Sequence, residues 1–395
     1  MTNNLLNWAK HDLEHNLLKW WTNHATDNEN GGYYGIISSD NTPDKTAKRF
    51  LVLIARLLWT FSASYEVTGN EDYKTQAKRA YDYLTSRFHD NIHGGFYTYV
   101  DHKGNVDTDY KFTYGNAFAV YGLSEYARVF GCEAAKALAK DTVIHIDNHL
   151  WDPDHKGYFE TASRQWHYMP NVLMLHGDTS AQKTMNTHLH VLEAYANLLK
   201  IDDSKPLRSR VRELLYLFRN KIINQDNWHF NYFQTRDWTP TTPELSLGHD
   251  IEGSWLLYEC AEILGEPETM ADIRHISINI ARAVYDDGIA ENGAIPTTYD
   301  PQTKTFTEKF SWWEQCEGVV GFLNAYQLTN EEKFLNAAAS CLEIINNHFI
   351  DHEYGGWYAY VDQKGQPIKT AKCSPFTCPY HNARMSIEII KRLED

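Results

Sequence analysis

The sequence predicts an all-α fold, an (α/α)6 barrel with short β-hairpins or extended loops between its helices. Three observations predict it: a sixfold rhythm of glycine and aromatic residues, an alternation of two kinds of helix, and 395 residues without a linker. The rhythm runs Gly31-Gly32-Tyr33-Tyr34, Gly94-Gly95-Phe96-Tyr97, Gly157-Tyr158-Phe159, Trp228-His229-Phe230, Gly293-Ala294-Ile295 and Gly355-Gly356-Trp357-Tyr358. Its markers at 31, 94, 157, 228, 293 and 355 are spaced by 63, 63, 71, 65 and 62 residues. The first, second and last copies are clear. The fourth and fifth emerge only through the spacing.

A helix-like segment precedes each marker, such as AKRAYDYLTSRF before the second and CLEIINNHF before the last. The stretch after it alternates or turns (FYTYVDHKGN, WYAYVDQKGQ), as a short hairpin or extended loop does. A second helix then starts near Lys48, Tyr114, Asn186, His249, Trp312 and His381. These second helices, among them FLVLIARLLWTFSASY, AFAVYGLSEYARVF and GVVGFLNAYQL, are apolar almost all round, the mark of a buried helix. The helices before the markers carry polar stripes, as in VRELLYLFRNKII. Six buried helices inside six amphipathic ones make the barrel. No Pro/Gly/Ser-rich or low-complexity stretch divides the chain, so residues 1–395 are read as one domain.

Composition narrows the function. With 25 Tyr, 17 Phe and 12 Trp, the aromatic fraction of 14% provides core filler and flat platforms for sugar rings. A formal charge of −15 with no basic run argues against nucleic acid and a membrane surface as partners. No apolar run approaches the roughly 20 residues that span a bilayer. The N-terminal MTNNLLNWAKHDLEHNLLKWW reads as an amphipathic helix, not a signal peptide. Six scattered cysteines lack zinc-site spacing and are expected to be free thiols in the cytoplasm.

The polar residues that open the buried helices are the candidate site, since burying them unpaired costs about 1–3 kcal/mol each. Asn186 and His190 share one face of the third helix, and His188 points elsewhere. His249 opens the fourth, and Glu252 at i+3 is expected to orient its ring and hold its pKa near neutrality. Asp250 either joins them or favours the helix N-terminus. Trp312, Trp313 and Glu317 open the fifth, where a tryptophan can stack on a pyranose. His381 and Arg384 share a face of the sixth. Arg56 lies inside an apolar helix and requires a carboxylate or a ligand. The histidines could serve a metal, but no fixed-spacing ligand signature is present, and none is expected.

The motifs NTHLHVLEAYANL, GHDIEGSWLL, WWEQCEGVVGF and PYHNARM, with ARLLWTFSASY before them, resemble those of the N-acylglucosamine 2-epimerase superfamily, closest to its cellobiose 2-epimerase branch. The resemblance runs in order from about residue 45 to the C-terminus. It implies cofactor-independent C2 epimerisation of a reducing-end aldose. It further implies that His249 and His381 flank the open-chain sugar as acid and base, and that His190 assists ring opening or contacts O1/O2. Arg56, Tyr114, Asn186 and Glu252 match positions that hold or polarise substrate oxygens. Phe376 stands where cellobiose-type members usually carry a tryptophan platform for the second sugar, and it stacks less area. Free glucose/mannose and β-1,4-disaccharides such as cellobiose are therefore both expected substrates, handled by a monomer or weak homodimer. Three other functions compete: aldose–ketose isomerisation of mannose to fructose, glycoside hydrolysis through carboxylates about 5–10 Å apart, and non-catalytic sugar binding.

Overall fold

The computed structural model describes residues 1–170, 181–290, 293–301, 303, 305–307 and 309–394. Its outer ring begins with α1 (Thr2–Asp12) and α2 (Leu18–Trp20), linked and extended by π-turns at Leu13–Leu17 and Trp21–Ala25. Inner and outer helices then alternate. They are α3 (Leu51–Thr68), α4 (Glu71–Tyr83), α5 (Thr113–Phe130), α6 (Glu133–Leu150), α7 (Met185–Leu199) and α8 (Lys205–Leu217). The second half continues with α9 (Leu247–Leu264), α10 (Pro267–Asp287), α11 (Trp312–Thr329), α12 (Glu332–Ile344) and α13 (Tyr380–Leu393). The ring closes because α13 packs on both α11 and α3, with α1 behind it.

Burial follows the sequence pattern. Helix α3 is buried from Leu51 through Ser64, with water on neither side. Outer helix α8 buries Leu207, Val211, Leu214 and Leu215, a stripe at helical spacing, and turns Tyr216 to solvent. Inner helices approach each other closely at glycines. A Cβ at Gly122 would lie 2.6 Å from the Ala55 carbonyl, and one at Gly321 would lie 2.7 Å from the Ile251 carbonyl. Those positions set the α3–α5 and α9–α11 spacing.

Each marker is the turn of a small hairpin after an outer helix. The hairpins pair Thr26 with Tyr33, His89 with Phe96, Trp151 with Tyr158 and Ile350 with Trp357. In the fourth repeat Ile223–Asn224 pairs with His229–Phe230, and in the fifth the Ala290 amide donates to the Ala294 carbonyl. The turn needs a left-handed residue, which glycine supplies at Gly94 and Gly157. In the fourth repeat Trp228 takes φ 61° instead. The backbone conformation is kept while the sequence signal is lost.

A second set of pairings links neighbouring repeats around the rim. The lead-in to α3 (Arg49–Phe50) pairs with Tyr99–Val100, and that to α5 (Lys111–Phe112) with Thr161–Ala162. Lys183–Thr184 pairs with Phe233–Gln234, Leu245 with Tyr299, and Lys309–Ser311 with Tyr360–Asp362. Cys373 with Ile37 completes the circle. Fully buried cations pin four lead-ins to the aspartates of the hairpins: Arg49 to Asp27, Lys111 to Asp90 at 3.2 Å, Lys183 to Asp152 at 3.0 Å and Lys372 to Asp351 at 2.7 Å. The rim therefore fixes where each inner helix starts, and so where its first-turn side chains point.

Candidate active site

Those first turns converge. A cavity of about 170 Å³ at the barrel mouth is lined by Arg56, Tyr114, Asn186, His190, His249, Glu252, Trp312, Trp313, Phe376 and His381. Ten residues predicted from the sequence thus share one wall. Glu317 stands directly behind His381, where its Oε1 is 2.7 Å from Nδ1. Tyr232 and Tyr360 also line the cavity and were not singled out in the sequence. Tyr360 starts the strand Tyr360–Asp362, and Tyr232 lies in the link between the short strands His229–Phe230 and Phe233–Gln234.

The histidines differ in support. His381 directs Nδ1 at the Glu317 carboxylate, leaving Nε2 as its free nitrogen. His190 uses Nδ1 on Glu193 Oε2 at 2.8 Å. His249 does not pair with Glu252 as its i, i+3 spacing suggested: its Nδ1 meets Ser246 Oγ at 2.6 Å, one turn earlier. Its ring lies between Tyr232 and Trp313, with centroids 5.1 and 4.6 Å away. The expected near-neutral pKa is also corrected. Burial first, then the positive fields of His190, His381 and Arg56, push His249 well below the usual imidazole value. Burial does the same to His381, aided by Arg56 and Arg384. Both rings are neutral imidazoles near pH 7.

Arg384 is the centre of the charged network. Its Nη1 donates to Glu193 Oε1 at 2.6 Å, and its Nη2 to Glu252 Oε1 at 2.5 Å and Glu317 Oε1 at 2.6 Å. Glu193 is held down to about 2: burial opposes its charge, but Arg384, His190 and Tyr380 more than offset that. Glu252 behaves oppositely, its pKa raised to about 7 by burial and by the neighbouring Glu317. Glu252, Glu317 and His381 bring ligand atoms within 4.8 Å of one another, the arrangement a metal would use. The Arg384 guanidinium already bridges the two carboxylates.

Arg56 has no carboxylate partner. It donates to Tyr114 Oη at 2.9 Å and lies over the faces of Phe118 and Tyr380, 4.3 and 4.6 Å from their centroids. Burial disfavours its charge, but the aromatic hydroxyls and Cys378 keep it protonated. Arg56 Nε, Asn186 Oδ1 and Glu252 Oε2 are buried and find no hydrogen-bond partner among the described residues. All three belong to residues that line the cavity, and each has hydrogen-bonding capacity unspent there.

Other polar candidates are structural. His188 accepts from the Tyr158 amide through Nε2 and contacts the Thr184 carbonyl through Nδ1, and burial lowers it to about 3. Asp250 binds the His229 ring and the Phe230 amide, and so anchors the fourth hairpin. Phe376 packs edge-on against Phe50 at the α3 side of the mouth.

An (α/α)6 barrel whose mouth holds buried histidines and a guanidinium between aromatic walls defines a class of enzyme that acts on a small sugar-like molecule. The family described as N-acylglucosamine 2-epimerase (GlcNAc 2-epimerase) matches residues 32–384, and the chain belongs to it. It is an isomerase. Cellobiose 2-epimerase of Bacteroides fragilis is 35% identical over 380 residues, covering 96% of this chain and 97% of that protein. D-mannose isomerase of Marinomonas mediterranea is 22% identical over 377 residues, 92% of each chain. The solved structure of cellobiose 2-epimerase from Bacillus thermoamylovorans superposes with a TM-score of 0.95 at 35% identity, covering 99% of this chain and 100% of that one. Among the described residues no helix is long and apolar enough to cross a membrane.

Proposed function

We propose that the protein interconverts an aldose and its C2 epimer, with His249 and His381 as the acid/base pair and without metal or cofactor. The substrate is glucose or mannose, free or at the reducing end of a β-1,4-disaccharide such as cellobiose. The enzyme works as one domain, as a monomer or weak homodimer in the cytoplasm. The observation that carries this reading is the pair of imidazoles on the wall of one cavity, each held through Nδ1 and each without a hydrogen bond at Nε2 among the described residues.

The chemistry follows from the groups present. A neutral imidazole removes the C2 proton, and the electron pair moves toward C1 to give a cis-enediolate. Its negative charge develops at O1 beside Arg56, a donor already charged and in place. The opposite histidine, which must first take up a proton from solvent on Nε2 to become an imidazolium, delivers that proton to the other face of C2, which inverts it. A lowered pKa makes that protonated ring a strong donor to carbon. Arg56, Tyr114, Asn186 and Glu252 hold the oxygens, His190 serves ring opening, and Trp312, Trp313 and Phe376 bound the ring. The carboxylates suit hydrolysis poorly, because Glu193, Glu252 and Glu317 all converge on one guanidinium instead of flanking a bond.

Incubation with mannose and with cellobiose in D2O, followed by NMR, tests the proposal. Deuterium at C2 of the epimer is expected, and the faster sugar identifies the preferred substrate. Absence of C2 exchange with both sugars would overturn the reading. The similarity to a D-mannose isomerase keeps one second reading, protonation at C1 to give a ketose. Fructose as the main product from mannose would establish that instead.

A further inference from the structure

We infer that Arg384 is a positioning residue that sets the tautomers of His190 and His381 together, through two carboxylates it holds at once. The inference rests on the epimerase reading for its catalytic meaning, but its geometry stands alone. Arg384 is almost completely buried on α13 and does not itself line the cavity. Its Nη1 reaches Glu193 Oε1, whose other oxygen holds His190 Nδ1. Its Nη2 reaches Glu317 Oε1, the oxygen that holds His381 Nδ1. One rigid fork on α13 therefore lies behind histidines on α7 and α13 through carboxylates on α7 and α11. Only a planar guanidinium offers donors in this geometry, and an ammonium is a point charge.

The consequence is chemical. An ionised carboxylate only accepts, so a histidine facing one must carry its proton on Nδ1 and leave the Nε2 lone pair toward the cavity. A protonated carboxylic acid can donate, and the ring would then turn to the opposite tautomer. A guanidinium only donates, so the oxygens that Arg384 holds on Glu193 and Glu317 are acceptors. Glu252 is the third carboxyl on the same fork, and burial together with the neighbouring Glu317 raises its pKa to about 7. Trp255 reinforces the arrangement by donating to Glu317 Oε2 at 3.0 Å, and its ring lies under the guanidinium at 4.9 Å.

The test uses the full-length protein with 15N-labelled histidine. In the unliganded enzyme His190 and His381 are expected as Nδ1–H tautomers. Arg384→Lys should shift both signals together, and kcat should fall about 100-fold while KM stays within about threefold. Glu193→Gln is the second variant, should Arg384→Lys fail to fold. Its amide can donate to His190 directly, and the loss of one carboxylate from the fork should move the His381 signal as well. If His381 is unmoved in Glu193→Gln, or if Arg384→Lys moves neither ring, the coupling is overturned. These signals need no substrate, so a failed C2 exchange would count against the epimerase reading and leave this inference to its own result.

Discussion

Two buried sets of charge, the rim and the barrel centre, are solved differently. At the rim each cation is closed. Lys183 donates to Asp152 and to the Lys156 and Arg236 carbonyls, and Asp152 is shared with Arg236. At the centre the network is left open, with Arg56 Nε, Asn186 Oδ1 and Glu252 Oε2 unpaired on the cavity wall. Burying a charge is costly unless it is fully satisfied. A closed set spends its interactions on the frame. An open set keeps them for a ligand that supplies the missing partners.

If that contrast is right, variants should divide cleanly. Replacing His381 with Asn, or His249 with Ala, removes a proton carrier from the open set. Epimerisation should fall by about 10²–10⁴-fold with little change in Tm, measured by product NMR and thermal unfolding. Lys183→Met breaks the closed set and leaves Asp152 short of a partner at zero exposure. A loss of about 3–5 kcal/mol in denaturant unfolding is expected, with near-normal kcat for the folded fraction. A Lys183 variant that kept its stability but lost activity would erase the distinction.

Two smaller effects sharpen it. Ser246→Ala removes the hydroxyl at His249 Nδ1, one hydrogen bond worth about 0.5–1.5 kcal/mol, so kcat should fall about three- to tenfold with KM little changed. His188 belongs to the frame and is held neutral, its folded value of about 3 lying below the ordinary 6.5. A histidine whose folded pKa is depressed contributes stability above pH 6.5 and loses it as pH falls toward 3. Stability should therefore fall by about 1 kcal/mol per pH unit from that residue across this window. In His188→Gln the slope of stability against pH should flatten there, read from urea midpoints at several pH values.

The sequence carried the fold because a barrel built from six similar repeats shows its period wherever the turn demands glycine. The period faded where another residue met the same demand, as Trp228 does with its left-handed backbone. The cavity lining was legible too, since polar residues at the start of apolar helices have few reasons to be there. What the sequence could not show was pairing across helices. Spacing placed Glu252 beside His249, but tertiary geometry turned it to Arg384, 132 residues away. Arg384 was visible as a neighbour of His381, yet nothing local revealed the carboxylates from α7, α9 and α11 that meet on it. Tyr232 and Tyr360 were hidden for a related reason: they reach the cavity beside or on short strands, and the strand of Tyr360 and the one just after Tyr232 pair with lead-ins of other repeats.

The central claim is that His249 and His381 act on opposite faces of C2, and half-reactions test it most directly. Each epimer, deuterated at C2, is incubated in H2O with His249→Asn and with His381→Asn, and loss of the label is followed by NMR. Each variant should wash the label from one epimer only, the two variants choosing opposite epimers, and neither should epimerise. Washout from both epimers by either variant, or undiminished epimerisation, would contradict the account.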